Sequence, residues 1–235
     1  MTVIVCIFLS PISLLLLVLY PIIKIRFGIL YGASFGTYVF DTEYYLRKKS
    51  LQKGIIFDFF FPKNKIPTSA FADKLVFRNF NILYIARFFY LNAKVLGSIN
   101  TVILNKSPCR DPDDIYSKTK TQLTFSNKEL IDGNLFLEKI GVTKGQKYIC
   151  LVARDSAYKK SISGLFERPL EDLIHNYRNS NIDDYKLAVN FLLDRGYFVI
   201  RMGNVVEKKL KIEDKNFLDY ASSDLKSSFL DFFLL

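Results

Sequence analysis

The chain has 235 residues, enough for one large domain or two small ones. Half of it is hydrophobic, with 22 Phe and 14 Tyr, which excludes a chain that is mainly disordered. The net charge of +10 suits an anionic partner, but the basic residues are spread along the chain and form no nucleic-acid motif, so nucleic acid is not expected.

From Met1 to Ile23 the sequence "MTVIVCIFLSPISLLLLVLYPII" carries no charged side chain. A bilayer-spanning helix needs about 20 such residues, and Pro11 is tolerated in a membrane helix. The segment 1–23 is therefore expected to be a transmembrane or membrane-anchor helix. A buried N-terminal helix or strand pair of a soluble domain is the competing reading. A cleaved signal peptide is not expected, because no basic region precedes the apolar run. Lys24 and Arg26 follow it, with Arg47, Lys48 and Lys49 further on. By the positive-inside rule the body would face the cytoplasm at the inner (cytoplasmic) membrane.

Next, "RFGILYGASFGTYVFDTEYYLRKKS" reads as strand, loop and helix, and the loop holds Gly32, Ala33, Ser34 and Gly36. Small residues let backbone approach a ligand, although a packed turn explains them equally. The spacing matches neither the dinucleotide fingerprint nor a P-loop. "KGIIFDFFFP", Lys53 to Pro62, predicts a buried strand. Leu75 to Leu96 predicts a helix with a further strand. "NKSPCRDPDD", Asn105 to Asp114, is dense in turn formers and is the expected linker; its Asp111-Pro112-Asp113 reads as a solvated turn and not a metal site.

The second half opens on a capping box, Ser126 to Glu129, with Leu130, Leu135, Leu137 and Ile140 following and Gly141 as the stop. "KYICLVA", Lys147 to Ala153, reads as a strand buried on both faces of a parallel sheet. "IDDYKLAVNFLLDRG" predicts a helix burying Tyr185, Ala188, Val189 and Leu192, and "YFVIRMG" a second strand, which makes a βαβ unit. "NFLDYA" and "SSFLDFFLL" read as another strand and the start of another helix. The alternation implies α/β with a parallel sheet. The three cysteines, Cys6, Cys109 and Cys150, are far apart and odd in number, so neither a disulfide framework nor a structural zinc is expected.

Ligands of open parallel sheets bind outside the carboxyl ends of the strands. Two segments fall there, the long stretch after Ala153 and "RMGNVVEKK" after Ile200. They carry Arg154, Arg168, Arg178, Arg201, Lys208 and Lys209, and an arginine fork matches phosphate oxygens. His175, the one histidine, can transfer a proton near neutral pH or donate a hydrogen bond. Asp155, Glu167, Glu171 and Asp172 are ready ion-pair partners, so each arginine taken singly also reads as structural.

"YICLVARDSAY", "HNYRNSNIDDYKLAVNFLLDRGYFVIRMGNVVEKKL" and "DYASSDLKSSFLDFFLL" resemble a family of glycosyltransferases encoded among bacterial surface-polysaccharide genes. "GTYVFDTEYYLRKK" resembles its N-terminal region more loosely. The resemblance implies a GT-B-like fold of two Rossmann-like parallel-sheet domains, here 24–120 on the acceptor side and 121–235 on the nucleotide-sugar side. The second domain would be incomplete, since the family continues beyond "DFFLL". It implies transfer of a sugar from a nucleoside-diphosphate donor to a surface-polysaccharide or lipid-linked acceptor at the membrane. The matching positions are Arg154, Asp155, His175, Tyr177, Arg178, Arg201, Gly203 and Lys208. From their chemistry we assign His175 and Asp155 to proton transfer and the other six to substrate binding, with no metal or cofactor. The alternative is a non-catalytic membrane-anchored binding protein or an inactive fragment of such an enzyme.

Overall fold

Residues 1–125 and 126–235 form two compact units, each taken here by itself. The computed structural model describes residues 2–32, 35–63, 69–97, 99–104, 111–162 and 176–235, apart from the side chains of Lys159 and Ile162. The chain is a mixed α/β protein with parallel sheets and an N-terminal apolar helix.

In the first unit, α1 (Thr2–Leu19) leads through a short turn to β1 (Lys24–Leu30), α2 (Phe35–Ser50) and β2 (Ile56–Pro62). Then come α3 (Ala70–Phe77), β3 (Asn81–Ile82), α4 (Ala86–Val95), β4 (Thr101–Val102) and α5 (Ile115–Lys118). The strands pair in parallel in the order β3-β2-β1-β4. Two crossovers step the chain to one side of β1, and α4 then carries it back to the other side. The order therefore reverses between β1 and β4, which makes their carboxyl ends the switch point of the sheet. β1 and β2 are aligned over their full length, Lys24 to Leu30 against Ile56 to Pro62. Gly28 of β1 is required by packing, since a Cβ there would overlap the Phe60 ring.

The charged residues of this unit are largely used as braces. Asp58 of β2 is buried beside its register partner Arg26, with nitrogen–oxygen distances of 2.6 and 3.0 Å, and it also meets Lys49 at 3.1 Å and the Tyr45 hydroxyl. Burial pushes the Asp58 carboxyl up, but the hydrogen bonds from Arg26 and Tyr45 and the charges of Arg26 and Lys49 together hold it below the usual carboxylate range. On α2, Glu43 and Arg47 form a second buried pair. Glu43 also accepts from the backbone N–H of Gln122 and Leu123, and Arg47 donates to the carbonyls of Tyr116 and Thr119.

That pair bears on the expected linker. Of its residues, 105–110, Cys109 included, lie outside the described residues. Asp111 caps α5 by accepting from Ile115 N–H at 2.7 Å and Tyr116 N–H at 3.0 Å, and Asp113 pairs with Lys48 at 2.8 Å. The aspartates are held turns, and the segment from Asp111 onward is tied into the first unit, which extends to Phe125.

In the second unit, α6 (Asn127–Lys139) starts on the expected capping box, with both hydrogen bonds between Ser126 and Glu129 formed, and Gly141 leaves the helix at φ +98°. β5 (Tyr148–Val152), α7 (Ala157–Ile162), α8 (Lys186–Leu193) and β6 (Phe198–Met202) follow, then β7 (Phe217–Leu218) and α9 (Leu230–Phe233). The sheet order is β5-β6-β7, all parallel. The strand buried on both faces is β6, not β5. β6 is central among the described strands, whereas β5 pairs on one side only and stays half-exposed. Side chains alternate along β6: Phe198, Ile200 and Met202 enter a core with Val142, Tyr220, Leu230 and Leu234, while Val199 enters another with Ile182, Val189, Leu193 and Leu210.

Two expected helix faces also shift: on α8, Ala188 is exposed and Leu193 joins Val189 in the core. Leu130 and Leu135 of α6 are exposed, and its inward face is Phe136, Leu137 and Ile140 around Gly133. A Cβ at Gly133 would overlap the Phe233 ring, so this glycine lets α9 close against α6.

Candidate functional site

At the carboxyl edge of β5 and β6, backbone and side-chain hydrogen bonds tie several loops together. The Asp155 carboxylate accepts from Ala157 N–H at 3.0 Å, which starts α7, and from Glu207 N–H at 2.9 Å, which anchors the loop after β6. The Arg154 carbonyl accepts from Ser180 N–H at 2.8 Å, so the turn 176–178 is held close to the end of β5. Asn181 caps the next helical segment by accepting from Asp183 N–H. Asp183 in turn pairs with Lys208 and, at 3.0 Å, with Lys186. Glu207 accepts from the Ser156 hydroxyl and from Lys160 at 3.2 Å. Hydrogen bonds from Lys208 and Lys186 hold the Asp183 carboxyl below its ordinary range, and those from Ser156 and Lys160 do the same for Glu207.

Six of the eight candidates meet here. Arg154, Asp155, Tyr177, Arg178, Gly203 and Lys208 belong to segments joined by these contacts. Tyr177 is 81% exposed, and Arg178 and Lys208 also reach solvent. Gly203 follows β6 directly at φ +156°, where a Cβ would press on Val206 at 2.8 Å and Ala221 at 3.2 Å. It lets the backbone leave the strand against both neighbours.

Two assignments change. Arg201 is 1% exposed; its guanidinium donates to the Lys208 carbonyl at 2.7 Å and to Asp219 at 3.1 Å. It lies on the Val199 side of β6, inside the unit, so it braces the loop from below and has no access to a ligand. Asp155 accepts a backbone amide on each carboxylate oxygen, which gives it a positioning role that fastens two loops. His175 and Arg168 lie outside the described residues.

Sequence reasoning passed over a cleft in the first unit. About 190 Å³ in volume, it opens where the strand order reverses, between the ends of β1 and β4. Ile29, Tyr31 and Ile103 line it from the sheet side, Tyr38 and Asp41 from α2, and Tyr90 and Lys94 from α4. Burial and the neighbouring Asp73 carboxylate push the Tyr38 phenol far up, so it remains a neutral donor. The signal in the sequence was the run of small residues after β1, of which Ala33 and Ser34 lie outside the described residues, but the reversal of strand order that makes a crevice is a property of the topology. A concavity of about 290 Å³ in the second unit lies between α8 and residues 211–214 and includes none of the eight candidates.

Among the described residues no group of three or more His, Cys, Asp and Glu could hold a metal ion. Compared with protein-family models, with curated proteins and with solved structures, the chain matches none.

Proposed function

We propose that the chain is a glycosyltransferase of GT-B type, in which the second unit takes a nucleoside-diphosphate sugar and the first unit takes the glycan or lipid-linked acceptor at a membrane. The observation that carries this reading is the gathering of Arg154, Arg178 and Lys208 at the carboxyl edge of the β5–β6 pair, where open parallel sheets receive ligands. A departing nucleoside diphosphate accumulates negative charge, and preplaced cations stabilise that charge most in the transition state. Arg178 offers a fork for two phosphate oxygens and Lys208 a compact point charge. His175 is the remaining candidate for accepting the acceptor's hydroxyl proton. In the first unit, the Tyr31 ring suits the apolar C–H face of a sugar, with Asp41 and Lys94 at hand for its hydroxyls.

The test is calorimetric titration of the full chain with a panel of nucleoside diphosphates, paired with urea unfolding. Arg178→Ala and Lys208→Ala should each weaken binding about tenfold, the loss of one charge-assisted contact of about 1.4 kcal/mol, and change stability by no more than about 0.5 kcal/mol. Arg201→Ala should instead cost about 3–5 kcal/mol of stability, because it leaves Asp219 partly buried without its partner. The reading fails if no nucleoside diphosphate binds, or if the two surface variants bind as the wild type does. Binding without turnover of any nucleotide-sugar would select the alternative, a non-catalytic membrane-associated binding protein.

A further inference from the structure

The apolar N-terminal helix has two unlike faces. Its inner face belongs to the first unit. Leu16 packs against the core of Phe27, Ala86 and Tyr90. The Asn92 amide of α4 donates to the Cys6 carbonyl at 2.9 Å and to the Ser13 hydroxyl at 3.0 Å. The Asn100 amide donates to the Leu16 carbonyl at 3.3 Å and to the Ile25 carbonyl at 2.9 Å, tying helix and strand together. The outer face is apolar and open: Val3, Ile4, Ile7, Leu15 and Val18 are exposed, and Phe8 is 82% exposed. The open surface continues onto the docked element, where Val95 at the end of α4 is 86% exposed and Ile99 shares a small cavity with Leu16 and Leu17.

This geometry bears on how such a helix meets a membrane. At 18 residues α1 is about 27 Å long, close to the roughly 30 Å of a hydrocarbon core. If it stood across the bilayer, α4 would stand beside it at hydrocarbon depth with Arg87 and Lys94 exposed on its surface. β1 begins at Lys24, so the sheet would be drawn to the membrane as well. Lipid can satisfy neither those charges nor an open sheet edge. A helix lying in the plane of the interface meets no such cost: its outer face enters the acyl boundary and its inner face keeps the Asn92 and Asn100 contacts. The charge distribution fits an anionic surface. Residues 1–125 hold 16 Lys and Arg against 7 Asp and Glu, whereas residues 126–235 hold 17 against 16.

We infer that α1, with the adjoining end of α4, is a monotopic docking face that seats the first unit on an anionic lipid bilayer without crossing it. This rests on the membrane-associated part of the proposed function and not on the transferase chemistry, which is read separately by nucleotide titration. The chain contains no Trp, so Phe8→Trp places a single reporter midway along α1 on its outer face. The full-length variant is mixed with vesicles of equal parts phosphatidylcholine and phosphatidylglycerol carrying brominated acyl chains. The expected result is a blue shift with strongest quenching by bromine near the carbonyl groups. Strongest quenching by bromine at the chain ends would put residue 8 at the bilayer centre and overturn the inference in favour of a spanning helix. Absence of any shift, with the fold intact by circular dichroism, would overturn it in favour of a protein covering this face, and light scattering would then show whether that protein is a second copy. As an independent check, Phe8→Asp with Val18→Asp should lower vesicle affinity at least tenfold, while Leu187→Asp, on an exposed position of the second unit, should leave it unchanged. Equal affinity for all three would equally overturn the assignment.

Discussion

Asp58 shows how a single side chain can be mistaken for chemistry when it is architecture. It is a buried carboxylate with two cations and a phenol around it, the kind of environment that active sites use. Yet it sits near the amino end of β2, opposite Arg26 near the amino end of β1, away from the edge where parallel sheets bind ligands. We expect Asp58→Asn to cost about 3–5 kcal/mol, since Arg26 would lose its buried partner. The carboxyl is held below its ordinary value of about 3.9, so its contribution is fully present above that value and is lost as pH falls through the lower folded value. The stability difference between wild type and Asp58→Asn, measured by urea unfolding, should therefore be constant from neutral pH to about pH 5 and shrink below about pH 4. A difference that grew on acidification would contradict the ion-pair account. Cys150 is a plainer case: burial pushes its thiol up to about 11 and it donates to the Leu234 carbonyl, as an inert core residue does.

Among the elements, α6 and α9 illustrate a contact that propensity alone mispredicts. Gly133 lies inside a helix, where replacement by Ala ordinarily gains up to about 1 kcal/mol. Here the added methyl would meet the ring of Phe233, and that ring belongs to the cluster that closes one core of the unit. Gly133→Ala should accordingly destabilise the protein by about 1–3 kcal/mol, the range for an overpacked core. Pairing it with Phe233→Leu should recover part of the loss, and thermal unfolding of the four proteins of that cycle measures the coupling. A Gly133→Ala protein as stable as the wild type would show that α9 does not sit on α6. The same logic explains α1. An 18-residue apolar helix reads as a membrane span from composition, but its relation to the membrane depends on α4, which composition does not reveal.

At the scale of the whole molecule, each unit has its own cores, Phe27, Ala86 and Tyr90 in the first and the two clusters flanking β6 in the second. Separate cores favour separate cooperative transitions. Calorimetric unfolding should show two. Val199→Ala, at a fully buried position in the second unit, should lower one by several degrees, and Phe60→Leu, in the first, should lower the other. A single transition that moves as a whole with either substitution would show that the units unfold together. The uneven charge belongs to this scale too, since nearly all of the net +10 resides in residues 1–125.

The sequence by itself determined the α/β class, the N-terminal apolar helix, the capping box at Ser126 and the βαβ unit ending in "YFVIRMG". Each of these is written in local periodicity or turn chemistry that acts within a few residues. Only the tertiary structure decided which strand is central, where the strand order reverses, and which face of α1 is spoken for. It also separated Arg201 from Arg178. Both are arginines near the end of a strand, and no local rule tells a brace from a ligand contact. The difference lies in Asp219, 18 residues away along the chain and 3.1 Å away in space. Partners so separated in sequence are chosen by topology, and pattern along the chain carries no record of them.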